Sequence, residues 1–358
     1  MPFGSESPRK RFMVNYKRLF LPMTLAIVLN VFSARSAAAQ NTARLLIPHE
    51  SWNCGMPDGI PAPEAGSLVF QIEMKFDKVL DVGKTPFGDR KVIVAQEGIL
   101  SGPKLTGTVM PGALDFELKL ANGTIEVEQI FVLKTEDGKY IYVRNAGTGP
   151  DSGDVRVVMD FEAPSAAPSA WLNSGKYVSR REVNAAARTL TIRVYDVSRV
   201  SLPTGSTNFT RISKPAGTPF QSWDYRKPAP SEKQGDVLIT ETVTLSPSQS
   251  VGMSKRGNRN IIPITGGELN GRVPGKVLFG GADYQNLSGP PAIDARYLWQ
   301  ASNGDIIIVR NTGSGTLIPI FEVRVESPYA FLNKGLYRSS PPGIRPGGVG
   351  ITMYDSIP

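Results

Sequence analysis

Apolar and polar residues alternate along this chain in short runs, each ended by glycine, proline or an Asn-Gly or Asp-Gly pair. Leu68–Phe76 alternates and is β-like. Val92–Val94, Leu105–Met110, Ile125–Leu133, Tyr140–Val143, Val155–Phe161 and Thr189–Tyr195 follow as further short apolar or alternating runs. A second series runs through Val237–Leu245, Ile261–Ile264, Val277–Phe279, Ile293–Trp299, Ile306–Val309, Ile318–Val325 and Gly350–Met353. Period-two alternation is the mark of a strand with one buried face, and Asn122-Gly123, Asp137-Gly138 and Asn303-Gly304 suit hairpin turns. No amphipathic helical stretch of normal length appears in either series. The pattern predicts an all-β chain of antiparallel strands. Glycines recurring inside strands mark sharp bends and favour a barrel over a sandwich.

The two series are copies of one another. Val82-Gly83, Gly88 and Arg90 are matched by Val251-Gly252, Gly257 and Arg259. Val143-Arg144-Asn145-x-Gly147-x-Gly149 is matched by Val309-Arg310-Asn311-x-Gly313-x-Gly315, and Leu172-Asn173-x-Gly175-x-Tyr177 by Leu332-Asn333-x-Gly335-x-Tyr337. Gly112, Asp115 and Phe116 answer to Gly280, Asp283 and Tyr284. The order is kept throughout, so the chain is a tandem duplication of a whole domain rather than a short-period solenoid. The spans read as residues 66–198 for copy one and 236–358 for copy two. An extension, 40–65, precedes them, and a Pro- and Gly-rich linker, 199–235, joins them. Phe220, Trp223 and Tyr225 suggest that part of the linker packs back onto a domain.

Composition narrows the chemistry. The 358 residues include one Cys and one His, so an intramolecular disulfide and a Cys₂His₂ or His₃ zinc site are excluded. No metal or other cofactor is expected. A basic segment holding Arg9, Lys10, Arg11, Lys17 and Arg18 precedes the mostly apolar Leu19–Phe32 and the small residues Ser36–Ala39. That order predicts a secretory signal peptide over 1–39, cleaved after Ala39, and a periplasmic or secreted protein without a stable membrane span. Residues 1–39 carry six Lys/Arg and one Glu, so the formal charge of +8 falls to +3 once they are removed. No basic run with interleaved aromatics remains, which argues against nucleic acid.

The matched blocks resemble the family known as domain of unknown function 3237, an uncharacterised protein family. Copy two carries the pattern most fully. Val251-Gly252…Gly257-x-Arg259 leads to Ile262-Pro263-Ile264-Thr265-Gly266-Gly267 and Gly280-Gly281-Ala282-Asp283-Tyr284, then Asp294-Ala295-Arg296-Tyr297 and Asn303-Gly304. In copy one, Glu126-Val127-Glu128-Gln129 stands in place of Asp-Ala-Arg-Tyr. The resemblance implies a compact antiparallel β-barrel and no settled activity.

The candidate site residues are Arg259, Asp283, Asp294, Arg296, Tyr297 and Arg310, all in copy two. Asp294 and Arg296 share one strand face with Leu298, opposite Ala295, Tyr297 and Trp299. That face either meets solvent as an ion pair or lines a polar pocket. A guanidinium suits a carboxylate or phosphate, or else ties down loop carbonyls. Asp115 and Asp283 are candidate bases or turn caps, and Asn145 and Asn311 are read as turn residues. His49 and Cys54, far from the repeats in sequence, are read as having no catalytic part. Three functions remain open. The first is binding of a small anionic or polar molecule in copy two. The second is an isomerase, cyclase or lyase using Arg and Asp. The third is a structural module whose copies form an internal pseudo-dimer along an apolar seam.

Overall fold

The structure, a computed structural model, describes residues 44–201, 208–219 and 226–357. The signal-peptide reading of residues 1–39, and Phe220, Trp223 and Tyr225, lie outside the described residues.

Copy one contributes eight barrel strands: β1 (Ser67–Lys84), β2 (Asp89–Ser101), β3 (Ala113–Lys119), β4 (Ile125–Thr135), β5 (Tyr140–Gly149), β6 (Arg156–Met159), β7 (Tyr177–Asn184) and β8 (Thr189–Asp196). Each pairs antiparallel with the next, and β8 pairs with β1, so the sheet closes. Copy two repeats the plan with β9 (Lys233–Leu245), β10 (Gly257–Gly271), β11 (Ala282–Asn286), β12 (Ile293–Ala301), β13 (Ile306–Ser314), β14 (Thr316–Glu322), β15 (Tyr337–Ser339) and β16 (Gly348–Ile357). It closes through β16 and β9. The all-β, two-barrel expectation is therefore met. Closure removes the unpaired edges that an open sheet exposes.

Four of the barrel strands had no counterpart in the sequence pattern: β3, β7, β11 and β15. In β3 and β7 the reason is visible. Leu114, Phe116 and Leu118 point outward, while Asp115 and Glu117 point inward to Arg181 of β7. The face that is normally apolar thus carries a salt-bridged cluster. Leu105–Met110, read as a strand, holds only the short strand Gly107–Val109.

Each barrel has its own interior core. Phe70, Ile72, Phe131, Val143, Phe161 and Ile192 fill the first, and Val243, Tyr297, Trp299, Val309, Phe321 and Met353 the second. A third core lies between the barrels. Val82, Val92, Leu114, Phe116, Val132 and Tyr142 of copy one meet Val251, Ile261, Ala282, Tyr284, Leu298 and Ile308 of copy two. The outward faces of equivalent strands are therefore apolar in both copies, and each copy buries the other's. Tyr142 and Tyr284 pack with ring centroids 5.3 Å apart. The backbones come close at glycines: the Gly281 N–H donates to the Gly112 carbonyl at 2.8 Å. A Cβ on Gly280 would lie 2.4 Å from Val94 Cγ1. The pairing is pseudo-twofold, since the Ser165 N–H donates to the Met253 carbonyl and the Val325 N–H to the Lys84 carbonyl, both at 2.8 Å.

The extension packs on copy one and on a described part of the linker. Leu46, Trp52, Cys54 and Ile60 form a small core with Val178, Val197 and Ile212. The Trp52 indole N–H donates to the Gly147 carbonyl at 2.8 Å, and Arg156 donates to the carbonyls of Arg44 and Ile60. Its strand Leu45–Ile47 pairs in parallel with Phe209–Arg211, so a described part of the linker folds back beside it.

Candidate functional site

The seam between the barrels holds the candidate charges. Arg259 on β10 makes a bidentate pair with Glu162 of copy one, both bonds at 2.9 Å, and its equivalent Arg90 on β2 pairs with Glu322 of copy two at 2.8 and 3.0 Å. Ser254 donates to Glu162 as Thr85 donates to Glu322. Burial opposes the charge on Glu162, but hydrogen bonds from Arg259 and Ser254 outweigh it and hold the carboxyl below its usual range. The same balance, with Arg90 as the main partner, holds Glu322 down.

Strand register sets the correspondence between copies. Ile130 lies opposite Arg144, and Arg296 opposite Arg310; Glu128 lies opposite Ala146, and Asp294 opposite Thr312. Glu128 is thus the counterpart of Asp294, and Ile130 that of Arg296. The sequence comparison, which set Glu126-Val127-Glu128-Gln129 against Asp-Ala-Arg-Tyr, was two residues out of step. Arg296 is 1% exposed. It reaches Asp294 on its own strand at 2.9 Å and Glu128 of the other barrel, while Arg310 donates to Glu128 at 3.2 Å. The acidic face of copy one therefore neutralises the basic face of copy two. At Arg296 that face meets the other barrel, while its Asp294 borders the cleft at one end of the seam.

At one end the seam opens into a cleft of about 760 Å³. Its walls come from the extension (Trp52 to Met56), from β5 and the β6 end of copy one, and from Arg256, Arg259 and Asp294 of copy two. Tyr142, Arg144 and Asn145 are among its lining residues. The Arg259 guanidinium lies 5.3 Å from the Tyr142 ring centre. Burial, with the nearby Asp294 charge adding to it against the arginines, pushes the Tyr142 phenol well above its usual range, so it stays a neutral donor. Glu162 is paired with Arg259, Asp160 with Lys255 and Arg256, and Asp294 with Arg296. Lys176 also lines the cleft, and no salt bridge to it forms among the described residues. The walls thus carry four acids (Glu50, Asp160, Glu162 and Asp294) and four bases (Arg144, Lys176, Arg256 and Arg259), with most of the acids already paired.

The barrel interiors differ. In copy one, Asp115 is held by Arg181 and by Gln129, which accepts in turn from Asn145 at 3.0 Å. In copy two the equivalents of Gln129 and Arg181 are Ala295 and Pro341. Asp283 keeps one donor, Gln285 at 2.8 Å, and its other oxygen is buried without a partner. Burial raises the Asp283 carboxyl to about 6. Glu241, where copy one has Ile72, accepts from Tyr297 at 2.6 Å and Trp299 at 3.0 Å, and burial lifts it to about 7.

The six candidates are thus dispersed. Arg259 and Asp294 line the cleft, Arg296 and Arg310 are buried in the seam, and Tyr297 and Asp283 face the interior of barrel two. Asn145 and Asn311, read as turn residues, are buried within β5 and β13, because those strands run on past the Arg-Asn step. Arg90 and Arg259 bind carboxylates of the opposite copy rather than loop carbonyls. Both an apolar seam and a cleft are present, although the pseudo-dimer reading predicted a seam without a cavity. Among the described residues no group of three His, Cys, Asp or Glu side chains is placed to hold a metal ion.

One arrangement was missed in the sequence. His49 Nε2 lies 2.5 Å from Glu126 Oε1, and its Nδ1 lies 2.9 Å from Ser51 Oγ. The His49–Glu126 contact spans 77 residues and forms only because the extension docks on copy one. The nearest sequence signal is Glu126 itself, an acid in a strand otherwise rich in apolar residues.

A UPF0311 protein of Bradyrhizobium diazoefficiens is 40% identical over 78 residues, covering 21% of this chain and 51% of that protein. A UPF0311 protein of Clostridium acetobutylicum is 33% identical over 86 residues, 23% of this chain and 54% of its own length. The chain spans about half the length of these curated relatives. Among solved structures, a β-barrel-like protein from Acinetobacter baumannii aligns at 18% identity and a TM-score of 0.33, covering 37% of this chain and 94% of that one. The family model for "Protein of unknown function (DUF3237)" matches residues 65–200 and 235–328, nearly the whole of copy one and most of copy two. With two such barrels joined in one chain, this protein belongs to the DUF3237 family.

Proposed function

We propose that the protein binds a small polar or anionic molecule in the cleft at the open end of the seam. The observation that carries this reading is the cleft of about 760 Å³ in which Asp160, Glu162 and Asp294 are already paired, Lys176 has no acidic partner among the described residues, and the exposed Glu50 is the one remaining acid of the lining. Its volume falls in the usual range for small-molecule sites, about 300–1,000 Å³. Acids already paired repel an incoming carboxylate or phosphate less, and Lys176 offers a charge-assisted hydrogen bond, with Arg144 adding positive charge to the same wall. Asp294 and Arg259 belong to the wall, Arg259 as the strut that holds Glu162. The seat of binding thus moves from copy two alone to the junction of copy one, the extension and copy two.

The test is a thermal-shift and calorimetric screen of small carboxylates and phosphate esters against their uncharged analogues. Lys176→Ala together with Arg144→Gln is expected to weaken an anion that binds by about 10- to 100-fold, the loss of one or two charged hydrogen bonds. Failure of every anion to bind, or unchanged affinity in that double variant, removes the reading. Export is proposed alongside, on the basic, apolar and small-residue order of the first 39 residues; N-terminal sequencing of the native protein should start near Gln40.

A further inference from the structure

We propose that Ser51, His49 and Glu126 form a proton relay that makes Ser51 a nucleophile toward carboxylic esters entering the cleft. Three contacts carry the argument. Glu126 Oε1 lies 2.5 Å from His49 Nε2, His49 Nδ1 lies 2.9 Å from Ser51 Oγ, and Ser51 lines the cleft. The His49 and Glu126 side chains are only 9% and 6% exposed, so water competes weakly for either bond. A neutral imidazole has one N–H and one lone pair. With the carboxylate accepting from Nε2–H, Nδ1 holds the lone pair and accepts the Ser51 hydroxyl proton. This is the wiring of a nucleophile, base and orienting acid, with the two ring nitrogens exchanged relative to the common serine-hydrolase arrangement.

The backbone fixes the geometry. Ser51 sits in the short turn Glu50–Trp52, closed by the Trp52 N–H to the His49 carbonyl at 3.0 Å. The fold itself does not call for Glu126, since the register places Ala292 at its position in copy two. Docking of the extension is already secured by Trp52 and Arg156. Beside His49, Ser51 and Glu126 lies a void of about 10 Å³, close to the room one water molecule needs.

In the reaction, Ser51 Oγ bonds to the ester carbonyl carbon and its proton passes to His49 Nδ1. Glu126 stabilises the imidazolium. The bond to the leaving oxygen then breaks, and that oxygen takes the proton from Nδ1. Water attacks the acyl-serine and gives a proton to Nδ1, which returns it to Ser51. The sum is ester plus water to acid plus alcohol. The class of ester, one with an anionic or polar group, rests on the cleft reading above; activation of Ser51 does not.

The full chain is treated with a fluorophosphonate probe, the modified peptide is mapped, and hydrolysis of p-nitrophenyl acetate is followed. Labelling of Ser51 is expected, with loss of hydrolysis in Ser51→Ala at an unchanged unfolding temperature. His49→Gln and Glu126→Gln should slow labelling by roughly 100-fold or more. Glu126→Asp, which keeps the carboxylate, should restore part of the rate at matched stability, which a purely structural anchor would not do. An unlabelled Ser51 in the folded wild-type chain, or equal labelling of wild type and His49→Gln, overturns the proposal. If His49→Gln fails to fold, hydrolysis that persists in Ser51→Ala overturns it instead. Ser51 labelling that is normal in the Arg144→Gln, Lys176→Ala double variant, with no preference for anionic over neutral esters in wild type, removes the cleft reading and leaves the relay standing.

Discussion

Arg90–Glu322 and Arg259–Glu162 occupy equivalent places at the two ends of one seam, yet one end is sealed and the other is open. At the sealed end the two side chains are 2% and 3% exposed, while Arg259 is 17% exposed. Neighbouring substitutions account for the difference. The turn beside Arg90 carries Pro86-Phe87, whereas the turn beside Arg259 carries Lys255-Arg256. Ile320, within β14, stands where copy one has Asp160 beside Glu162. Arg296 reaches across to Glu128 near the sealed half, where its counterpart Ile130 has no charge to offer. The extension then walls in the open end only, because it packs on copy one. Duplication supplied two identical seats, and divergence closed one of them. A cleft between copies can therefore arise without either barrel opening its own interior.

The largest effect expected is at the sealed end. Glu322→Ala strands Arg90 without solvent or a partner, and should destabilise the protein by about 3–5 kcal/mol in urea unfolding. A loss below that of Glu162→Ala would contradict the sealed–open distinction.

The barrel interiors sharpen the comparison through pH. Burial lifts Glu241 from 4.5 to about 7, so the folded chain holds this proton more tightly than the unfolded chain. Its contribution is full below about pH 4.5 and is lost as pH rises toward 7, about 3 kcal/mol in order of magnitude. Asp283 has the same sign, its contribution being lost between its ordinary value of 3.8 and about 6. Glu241→Gln should flatten the upper part of this decline and Asp283→Asn the lower. Ile72→Val in copy one should lower stability with no change in its pH dependence. A pH-independent wild type over pH 4–8 would show that neither acid is held protonated.

At the open end, Glu162→Ala leaves Arg259 able to rehydrate through the cleft, and about 1–3 kcal/mol should be lost. Smallest of all is Arg272→Ala: its pair with Asp355 is 48% and 33% exposed, so a loss of about 1 kcal/mol or less is expected, shrinking further in high salt.

Strand periodicity survived in the sequence wherever one face was uniformly apolar, as in β1 and β12. It failed in β3 and β7, where Asp115, Glu117 and Arg181 satisfy one another across a barrel. A charge in a strand reads locally as solvent exposure, and its partner lies 64 or 66 residues away. Arg259 and Asp294 were legible as functional candidates from residue type and repeat position. Trp52 and the His49–Glu126 contact were not, because nothing in the extension repeats and so no internal copy drew attention to it; Lys176 was not, because its position in the repeated block holds Leu336 in copy two.

The sequence by itself determined the duplication, the all-β class and the antiparallel closure into barrels, since alternation and glycine placement are local properties of each strand. It also showed that Asp294 and Arg296 share one strand face with Leu298 in copy two. Only the tertiary structure decided that the outward faces of the two copies cover one another, that Glu128 rather than a ligand neutralises Arg296, and that the seam opens on one side. Those outcomes depend on which distant charges meet in a dry interface. An isolated charge there is too costly to stand alone, and a strand's own sequence does not name its partner.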